Sequence, residues 1–326
     1  MILAVSTPKN LSSPAIGYRG RFAPSPTGPL HAGSLVAALG SWLDARKNGG
    51  EWLLRIEDLD TPRCMPGADL QIQSQLLACG LSWDEEIVYQ SQRQNAYERA
   101  LELLNGLNCL YPCTCSRQTI ANTLEKRGIK TPRNQEMVYP STCRPATLES
   151  AHFDSAYLLG NDGNNSGDLK KAWRIALPQH CQIEFEDLVL GTQSQNLNIE
   201  VGDFVLRRSD GLFTYQLAVV VDDAEQDITH IVRGQDLLSN TARQIFLQEK
   251  LGYARPEYLH LPLVLDECGE KLSKQTLATQ INTQDEKHAL LELRKAGKHL
   301  GLRDLPDGQS TTIAEWLLAA THAWRI

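Results

Sequence analysis

The feature that most constrains the fold is the loop Arg21–Ser34, with the sequence Arg-Phe-Ala-Pro-Ser-Pro-Thr-Gly-Pro-Leu-His-Ala-Gly-Ser. Its three prolines exclude regular structure, because proline lacks a backbone N–H and fixes its φ angle. Residues 16–22 can form a short strand before the loop, and apolar residues at helical spacing follow it. The pattern predicts a strand, a tight turn and a helix N-terminus, whose unpaired N–H groups suit a phosphate.

His31 and Gly33 stand where this helix should begin. A histidine there can donate a hydrogen bond to a phosphate, and a glycine leaves room for a flat base. Taken alone, the loop fits better with an ordinary turn in which His31 only caps the helix. A second element, Lys271-Leu-Ser-Lys-Gln275, changes this balance, because it places two lysines around Ser273 in a cationic loop.

In this order and spacing, His31-Ala-Gly-Ser34 resembles the HIGH motif of class I aminoacyl-tRNA synthetases, and Lys271–Gln275 resembles their KMSKS motif. The Arg-Phe-Ala-Pro-Ser-Pro lead-in is similar to that of the glutamyl-tRNA synthetases. Ala32 and Ser34 depart from HIGH, so its second histidine is missing, and Gln275 is a milder departure. The resemblance implies an α/β fold: a class I synthetase Rossmann-like parallel sheet with a zinc-bearing insertion and a short helical C-terminal part.

The resemblance also implies roles for particular residues. ATP, with Mg2+, would be bound by His31, Gly33, Lys271, Ser273 and Lys274, of which His31 and Lys274 are the catalytic residues. L-glutamate would be bound by Arg21, Ala23, Ser25, Glu57, Tyr215 and Arg233. Arg21 would meet the side-chain carboxylate, because a guanidinium donates two hydrogen bonds at once, and Glu57 would meet the ammonium. Each charged residue alone also fits an ordinary surface ion pair, so only the ordered set favours a site.

Cysteines and a tyrosine form a second group of candidate site residues, Cys113-Thr-Cys115 followed by Tyr139-Pro-Ser-Thr-Cys143. Three thiols in one segment suit a structural zinc, but small buried cysteines explain the spacing equally well. In short paralogues of the glutamyl-tRNA synthetases, a Cys-x-Cys followed by Tyr-x-x-x-Cys binds zinc. That resemblance implies one zinc ion held by Cys113, Cys115, Tyr139 and Cys143, with Cys109 as the alternative ligand.

The pattern of strands and helices divides the chain into five segments. Residues 1–18 are an N-terminal extension, and residues 19–108 and 201–260 are the two halves of the catalytic domain, where strands and helices alternate. Residues 109–200 interrupt this alternation and are expected to form an inserted zinc-bearing, RNA-contacting domain. Residues 261–326 carry the KMSKS-like loop and a helical C-terminal part.

Several local signals predict helix ends. Asn240 can cap one helix, and capping boxes are expected at Thr283–Glu286 and at Thr312–Glu315. The β-branched stretch 214–221 leaves helix and strand both open.

Composition limits the class of protein. The net charge of −7 gives no overall footprint of nucleic-acid binding. An RNA partner would therefore need a local basic patch. The candidate residues are Lys126, Arg127, Lys130, Arg133, Arg144, Lys170, Lys171 and Arg174. An ordinary solvated surface explains these basic residues equally well. No apolar stretch of about 20 residues predicts a membrane span, and the N-terminus does not resemble a signal peptide. The eight irregularly spaced cysteines suit a reduced, cytoplasmic protein.

Only about 50 residues follow Lys274, too few for another typical domain. Ordinary glutamyl-tRNA synthetases continue here into a helical anticodon-binding region, so the resemblance is to short paralogues that lack it. Those paralogues activate L-glutamate with ATP and transfer it to the queuosine base of tRNA(Asp), which implies the tRNA(Asp) anticodon stem-loop, L-glutamate and ATP as partners. No feature indicates the oligomeric state, and a monomer is the working expectation. Two alternatives stay open: a truncated glutamyl-tRNA synthetase that charges a tRNA 3′ end, and a non-catalytic RNA-binding module.

Overall fold

The computed structural model of the protein describes residues 17–130, 136–148, 153–159, 171–264 and 279–325. Strands and helices alternate in the first part of the chain. The elements there are β1 (Arg19–Phe22), α1 (Ala32–Lys47), β2 (Glu51–Ile56), α2 (Ala68–Ala78), β3 (Val88–Tyr89) and α3 (Gln94–Gly106), with 3-10 turns at Thr61–Arg63 and Gln90–Gln92.

The middle part is richer in strands. Its elements are β4 (Leu110–Cys113), α4 (Arg117–Lys126), α5 (Ser155–Leu159), β5 (Ala172–Ile175), β6 (Gln182–Asp187), β7 (Gly191–Asn196), α6 (Leu197–Glu200) and β8 (Phe204–Arg207). Alternation then returns with α7 (Tyr215–Glu225), β9 (His230–Gly234), a 3-10 turn at Gln235–Leu237, α8 (Leu238–Leu251) and β10 (Glu257–Leu261). Helices α9 (Glu286–His299) and α10 (Ile313–Ala323) follow.

Two sheets with parallel strands meet at the centre of the molecule. One has the order β1-β2-β3 and is entirely parallel. The other has the order β7-β6-β10-β9, in which β6, β10 and β9 are parallel and β7 completes a hairpin with β6. Strand β1 lies beside β9, because the Thr229 amide donates to the Arg19 carbonyl at 3.0 Å. These strands and the helices between them confirm the predicted α/β arrangement with a parallel sheet.

The core explains why α1 lies where it does. Leu35, Leu39 and Leu43 recur at helical spacing on α1, and all three are buried. Full burial of each such side chain stabilises the fold by about 1.5–3 kcal/mol. Gly40 on the same helix faces Leu261, where a Cβ atom would lie 2.6 Å from a leucine methyl carbon. Helix α1 therefore packs closely on β10, which fixes its N-terminus against the ends of the parallel strands.

A third sheet shares no strand with the parallel ones, although Leu110, Ile175 and Leu206 pack into the same buried core. It is antiparallel, with the order β4-β5-β8. A small cluster of buried residues, including Tyr111, Cys113 and Tyr139, packs beside it. This sheet carries the cysteine-bearing segment.

Four local helix signals have definite outcomes. The stretch 214–221, for which the sequence leaves helix and strand both open, is helical from Tyr215 onward, because α7 runs from Tyr215 to Glu225 with an apolar face on the core. Asn240 does not cap α8, which already begins at Leu238. Thr283 does not cap α9 either, because Asp285 accepts from the His288 amide, whereas the capping box at Thr312 is confirmed. Among the described residues, no helix is both long enough and apolar enough to span a bilayer.

Candidate functional site

A cavity of about 500 Å³ opens at the carboxyl ends of β1, β2, β9 and β10. This is the edge at which parallel α/β sheets bind ligands, next to the point where neighbouring strands diverge. Every residue predicted to bind ATP or glutamate that lies within the described ranges lines this cavity: Arg21, Ala23, Ser25, His31, Gly33, Glu57, Tyr215 and Arg233. The fold thus gathers side chains from four separate parts of the chain around one space.

His31 is the N-cap of α1. Its Nδ1 atom accepts from the Gly33 amide at 3.1 Å and from the Ser34 amide at 3.3 Å. In a neutral ring the proton must therefore sit on Nε2, which makes that atom a hydrogen-bond donor. The helix start adds the positive end of its dipole, so this corner of the cavity suits an anion.

Arg21 is buried and held by a carboxylate that no local sequence pattern pairs with it. Its Nε and Nη2 atoms donate to the two oxygens of Asp223 at 2.9 and 3.3 Å. Asp223 also accepts from Arg55 Nη2 at 2.7 Å. Burial alone would raise the pKa of Asp223, but Arg21 and Arg55 outweigh it and hold that pKa below its ordinary value. Asp223 thus fixes the plane of the Arg21 guanidinium and leaves Nη1 without a hydrogen bond to any described residue.

Glu57, in contrast to Asp223, is a buried carboxyl group without a close cationic partner. Its side chain is only 8% exposed, and the nearest cation atom is Arg55 Nη2, at 3.6 Å. Its buried Oε1 atom has no hydrogen-bond partner among the described residues. Burial raises the pKa of Glu57 from its ordinary 4.5 to about 7, although Arg55 and Arg21 oppose this. A buried acceptor with an unmet hydrogen bond is costly, and a ligand that donates would remove the cost.

Arg233 is also buried, but its partners are neutral. Its guanidinium donates to Gln244 at 2.8 Å, to Thr241 at 2.9 Å and to His260 at 3.2 Å. Longer contacts of 3.4 Å run to the Tyr215 hydroxyl and the Leu237 carbonyl. Within the described residues no carboxylate lies within 4 Å of it, so the cavity wall carries a cation without a direct counter-ion.

The structure also brings in residues that the sequence analysis missed. Asp222 and Asp223 are adjacent on α7 and both lie within 4 Å of Arg55. Asp222 also accepts from Arg93 and Tyr97 on the α3 side. Two aspartates after a run of valines in a buried helix were a usable signal, because buried charges need partners. Their partners could not be found that way, since Arg21 lies 202 positions from Asp223.

The predicted KMSKS-like residues Lys271, Ser273 and Lys274 lie outside the described residues. The chain is described on both sides of them. Val264 lines the cavity, and Gln280 pairs with His31 in an isolated bridge. The roles of the three residues remain predictions from the motif.

Cys113, Cys115 and Cys143 converge with Tyr139 beside the antiparallel sheet. The three sulfur atoms lie within 4.8 Å of one another. The Tyr139 hydroxyl is 3.4 Å from Cys113 Sγ and 3.8 Å from Cys115 Sγ, and Cys115 Sγ is 3.4 Å from Cys143 Sγ. Burial opposes ionisation of Cys143, but the Thr114 amide and the neighbouring Cys115 and Tyr139 side chains outweigh it and lower its pKa to about 7. Cys109 is not part of this group; its thiol donates to the Leu104 carbonyl instead.

Two residues of the candidate basic patch bind partners within the protein, although the Arg144 side chain stays 28% exposed. Arg174 is 8% exposed. Its Nε donates to Cys113 Sγ at 3.3 Å, and its guanidinium stacks 3.7 Å from the Tyr139 ring centre. Arg144 pairs with the buried Asp203 at 3.0 Å. Arg133 and Lys170 lie outside the described residues.

The chain is similar to proteins of one kind. A family described as the catalytic domain of class I tRNA synthetases (E and Q) matches residues 18–293. A glutamyl-Q tRNA(Asp) synthetase from Burkholderia cenocepacia (strain HI2424) is 51% identical over 313 residues, which cover 94% of this chain and 96% of that protein. The protein of the same name from Cupriavidus metallidurans is 51% identical over 309 residues, 94% of this chain and 91% of that protein.

Solved structures agree with these matches. The glutamate-tRNA synthetase from Elizabethkingia anophelis superposes with a TM-score of 0.71 at 28% identity, over 92% of this chain. A glutamate tRNA ligase from Elizabethkingia meningosepticum, solved in complex with its amino acid, gives the same TM-score and identity. The present chain spans 65% of the first of these two proteins and 64% of the second.

Proposed function

This chain belongs to the class I glutamyl- and glutaminyl-tRNA synthetase family, and on that premise we propose that it activates L-glutamate with ATP and transfers it to the queuosine base of tRNA(Asp). The relatives cited above, which match nearly end to end, are named glutamyl-Q tRNA(Asp) synthetases, which supports this activity. An unstacked base in an anticodon loop is an ordinary target for protein recognition of RNA. The RNA partner is therefore the anticodon stem-loop of tRNA(Asp).

The observation that carries the proposal is the charge pattern of the cavity. Glutamate has two carboxylates and one ammonium group. The buried part of the cavity wall offers two guanidinium groups, Arg21 and Arg233, and the Glu57 carboxyl group with its unpaired Oε1 atom. Arg63 and Asp236 also line the cavity, but both are exposed, and Arg63 pairs with Asp60. Arg21 Nη1 suits the side-chain carboxylate and Arg233 the α-carboxylate, because guanidinium groups bind carboxylates with charge-assisted hydrogen bonds. Glu57 suits the ammonium, whose positive charge favours the ionised form of that residue.

ATP fits the opposite corner, at the start of α1. Formation of an aminoacyl-adenylate requires the glutamate carboxylate to attack the α-phosphate, so the two substrates must lie side by side. His31 Nε2 would donate to a phosphate oxygen, and Gly33 leaves space for the nucleotide. Lys274, with Lys271 and Ser273, would neutralise the charge that develops as pyrophosphate leaves, with Mg2+ accompanying the ATP.

A structural zinc fits the cysteine cluster. A tetrahedral zinc with Zn–S bonds of about 2.3 Å places its sulfur ligands about 3.8 Å apart. Cys115 Sγ and Cys143 Sγ lie 3.4 Å apart, close to this spacing, and all three sulfur atoms lie within 4.8 Å of one another. The Tyr139 oxygen is 3.4 Å from Cys113 Sγ and 3.8 Å from Cys115 Sγ, so it can complete the group. The Arg174 cation beside Cys113 would offset part of the negative charge that three thiolates and a phenolate bring together.

Two assays test the function. In the first, ATP–pyrophosphate exchange should depend on L-glutamate, and it should fall in His31→Gln but not in His322→Gln, a matched change at an exposed histidine. In the second, labelled glutamate is supplied with queuosine-containing tRNA(Asp), unmodified tRNA(Asp) or tRNA(Glu). Label on the queuosine-containing tRNA alone supports the proposal. Label on tRNA(Glu) alone would contradict it and favour a truncated glutamyl-tRNA synthetase. No exchange with any amino acid would favour a non-catalytic protein.

A further inference from the structure

Arg233 presents one edge of its guanidinium to the cavity. Each terminal nitrogen makes one short bond into the protein, from Nη1 to Gln244 and from Nη2 to Thr241. Each also makes one 3.4 Å contact to a residue of the cavity wall, Tyr215 or Leu237. Contacts of that length are weak, so an incoming carboxylate can replace both of them. The remaining nitrogen, Nε, faces away from these contacts, toward His260.

His260 is fully buried on β10 and forms the next member of a chain of contacts. Its Nδ1 lies 2.6 Å from Asp187 Oδ2, and neither side chain is exposed to solvent. Its Nε2 lies 3.2 Å from Arg233 Nε, which can only donate. The proton must therefore sit on Nδ1, where Asp187 accepts it, and Nε2 must be bare. Burial and the nearby Arg233 lower the pKa of His260 to about 4, so the ring is neutral at neutral pH.

The turn between β6 and β7 uses only one oxygen of Asp187, which also lies 3.4 Å from the His260 amide. This oxygen, Oδ1, accepts from the Val189 and Leu190 amides and so closes the turn. That turn does not require the second oxygen to meet a histidine on another strand. A carboxylate that selects one histidine tautomer, which in turn orients a third group, is a recurrent arrangement in binding and catalytic sites.

We propose that Asp187 and His260 are positioning residues: Asp187 fixes the tautomer of His260, and His260 Nε2 holds the Arg233 guanidinium with its terminal edge toward the glutamate carboxylate. This inference rests on the proposed function, because it takes glutamate as the ligand of Arg233. It adds two residues, neither of which touches the substrate, to the determinants of glutamate affinity.

Three substitutions of similar size separate this role from simple core packing. Glutamine at position 260 can place its oxygen where His260 Nε2 stands, so His260→Gln keeps an acceptor for Arg233. Asparagine reaches only the position of Nδ1, so His260→Asn keeps the contact with Asp187 and loses the one with Arg233. In Asp187→Asn the turn amides retain the oxygen, so an NH2 group faces His260 and forces its proton onto Nε2, where it opposes Arg233 Nε. Asp44→Asn is the control, because Asp44 is a buried aspartate with two side-chain hydrogen bonds and does not line the cavity.

The experiment measures KM for glutamate, KM for ATP and kcat by ATP–pyrophosphate exchange, with the thermal midpoint of each variant. His260→Asn and Asp187→Asn should raise KM for glutamate about ten-fold, the usual effect of losing a hydrogen bond to a charged group. His260→Gln should stay within about three-fold of the unmodified chain. KM for ATP and kcat should change little, because the loss affects ground-state binding of one substrate.

Two results would overturn the inference. One is an unchanged KM for glutamate in His260→Asn and Asp187→Asn. The other is a rise in KM for glutamate that is not specific to these variants. It would be non-specific if KM for ATP rose equally, or if Asp44→Asn raised KM for glutamate as much at the same loss of thermal stability. If Asp187→Asn fails to fold, the two variants at position 260 decide on their own. An unmodified chain without glutamate-dependent exchange would instead contradict the proposed function, which keeps the two failures distinct.

Discussion

Glutamate activation should slow as the pH falls from about 8 to about 6, because the carboxyl group of Glu57 takes up a proton in that interval. Glu57 lies at the cavity wall with 8% of its side chain exposed and with one oxygen unsatisfied. Burial raises its pKa from 4.5 to about 7. Only the ionised form can attract the ammonium group of glutamate, so protonation and substrate binding compete.

The size of the effect follows from that pKa. A group with a pKa of about 7 is about 90% ionised at pH 8 and about 10% ionised at pH 6, so kcat/KM for glutamate should fall about ten-fold across the interval. The quantity to compare is kcat/KM, because it reports the ionisation of the free enzyme. The assay is ATP–pyrophosphate exchange at subsaturating glutamate and saturating ATP.

Glu57→Gln provides the control for other titrating groups, including those of ATP. This variant should be slow at every pH, and its kcat/KM for glutamate should not show the ten-fold fall between about pH 8 and about pH 6. A flat profile in the unmodified chain would refute the reasoning, as would the same slope in the glutamine variant.

The same substitution should stabilise the unliganded protein at about pH 8. Because folding raises the pKa of Glu57, the folded state binds a proton more tightly than the unfolded state does. Its contribution to stability is present below the unfolded pKa of 4.5 and is lost as the pH rises through about 7. A neutral glutamine avoids this loss, which is on the order of 3 kcal/mol. A lower thermal midpoint for Glu57→Gln at about pH 8 would contradict this account.

Further substitutions test the other parts of the site. Arg21→Lys keeps the charge but has a single side-chain nitrogen, which cannot hold both oxygens of Asp223 and also bind a substrate carboxylate. KM for glutamate should therefore rise about ten-fold in the exchange assay. An unchanged KM would count against this role. Cys143→Ser should lower the zinc content of the purified chain, whereas Cys64→Ser, a thiol outside the cluster, should not; equal zinc in both would reject the ligand set. Tyr139→Phe keeps the aromatic ring and removes only the phenol oxygen, so a chelator should remove zinc faster than from the unmodified chain. An identical rate would exclude Tyr139 as a ligand.

Local sequence patterns predicted the parts of this fold that depend on local chemistry. The prolines between Arg21 and Ser34 predicted a break between β1 and α1, and the alternation of strands and helices predicted the parallel sheet. Thr312 and Glu315 predicted a cap because both partners of a capping box lie within four residues. Thr283 failed because Asp285, two positions later, makes the competing cap.

Long-range pairings set the limit of sequence-based prediction. The motif resemblance predicted Arg21, Glu57 and Arg233, and the structure places all three at one cavity, while their roles stay predictions. It did not predict Asp223 or Asp187, because no local pattern links an aspartate to an arginine or histidine in a distant part of the chain. Such partners are chosen by tertiary packing, which brings together groups that must be paired once buried.

The location of the glutamyl group on the tRNA tests the central claim most directly. Queuosine-containing tRNA(Asp) is incubated with labelled glutamate, ATP and the protein, and is then cut with a nuclease into anticodon-loop and 3′-terminal fragments. The account predicts that the label stays with the fragment that carries queuosine. Label on the 3′-terminal adenosine would contradict it.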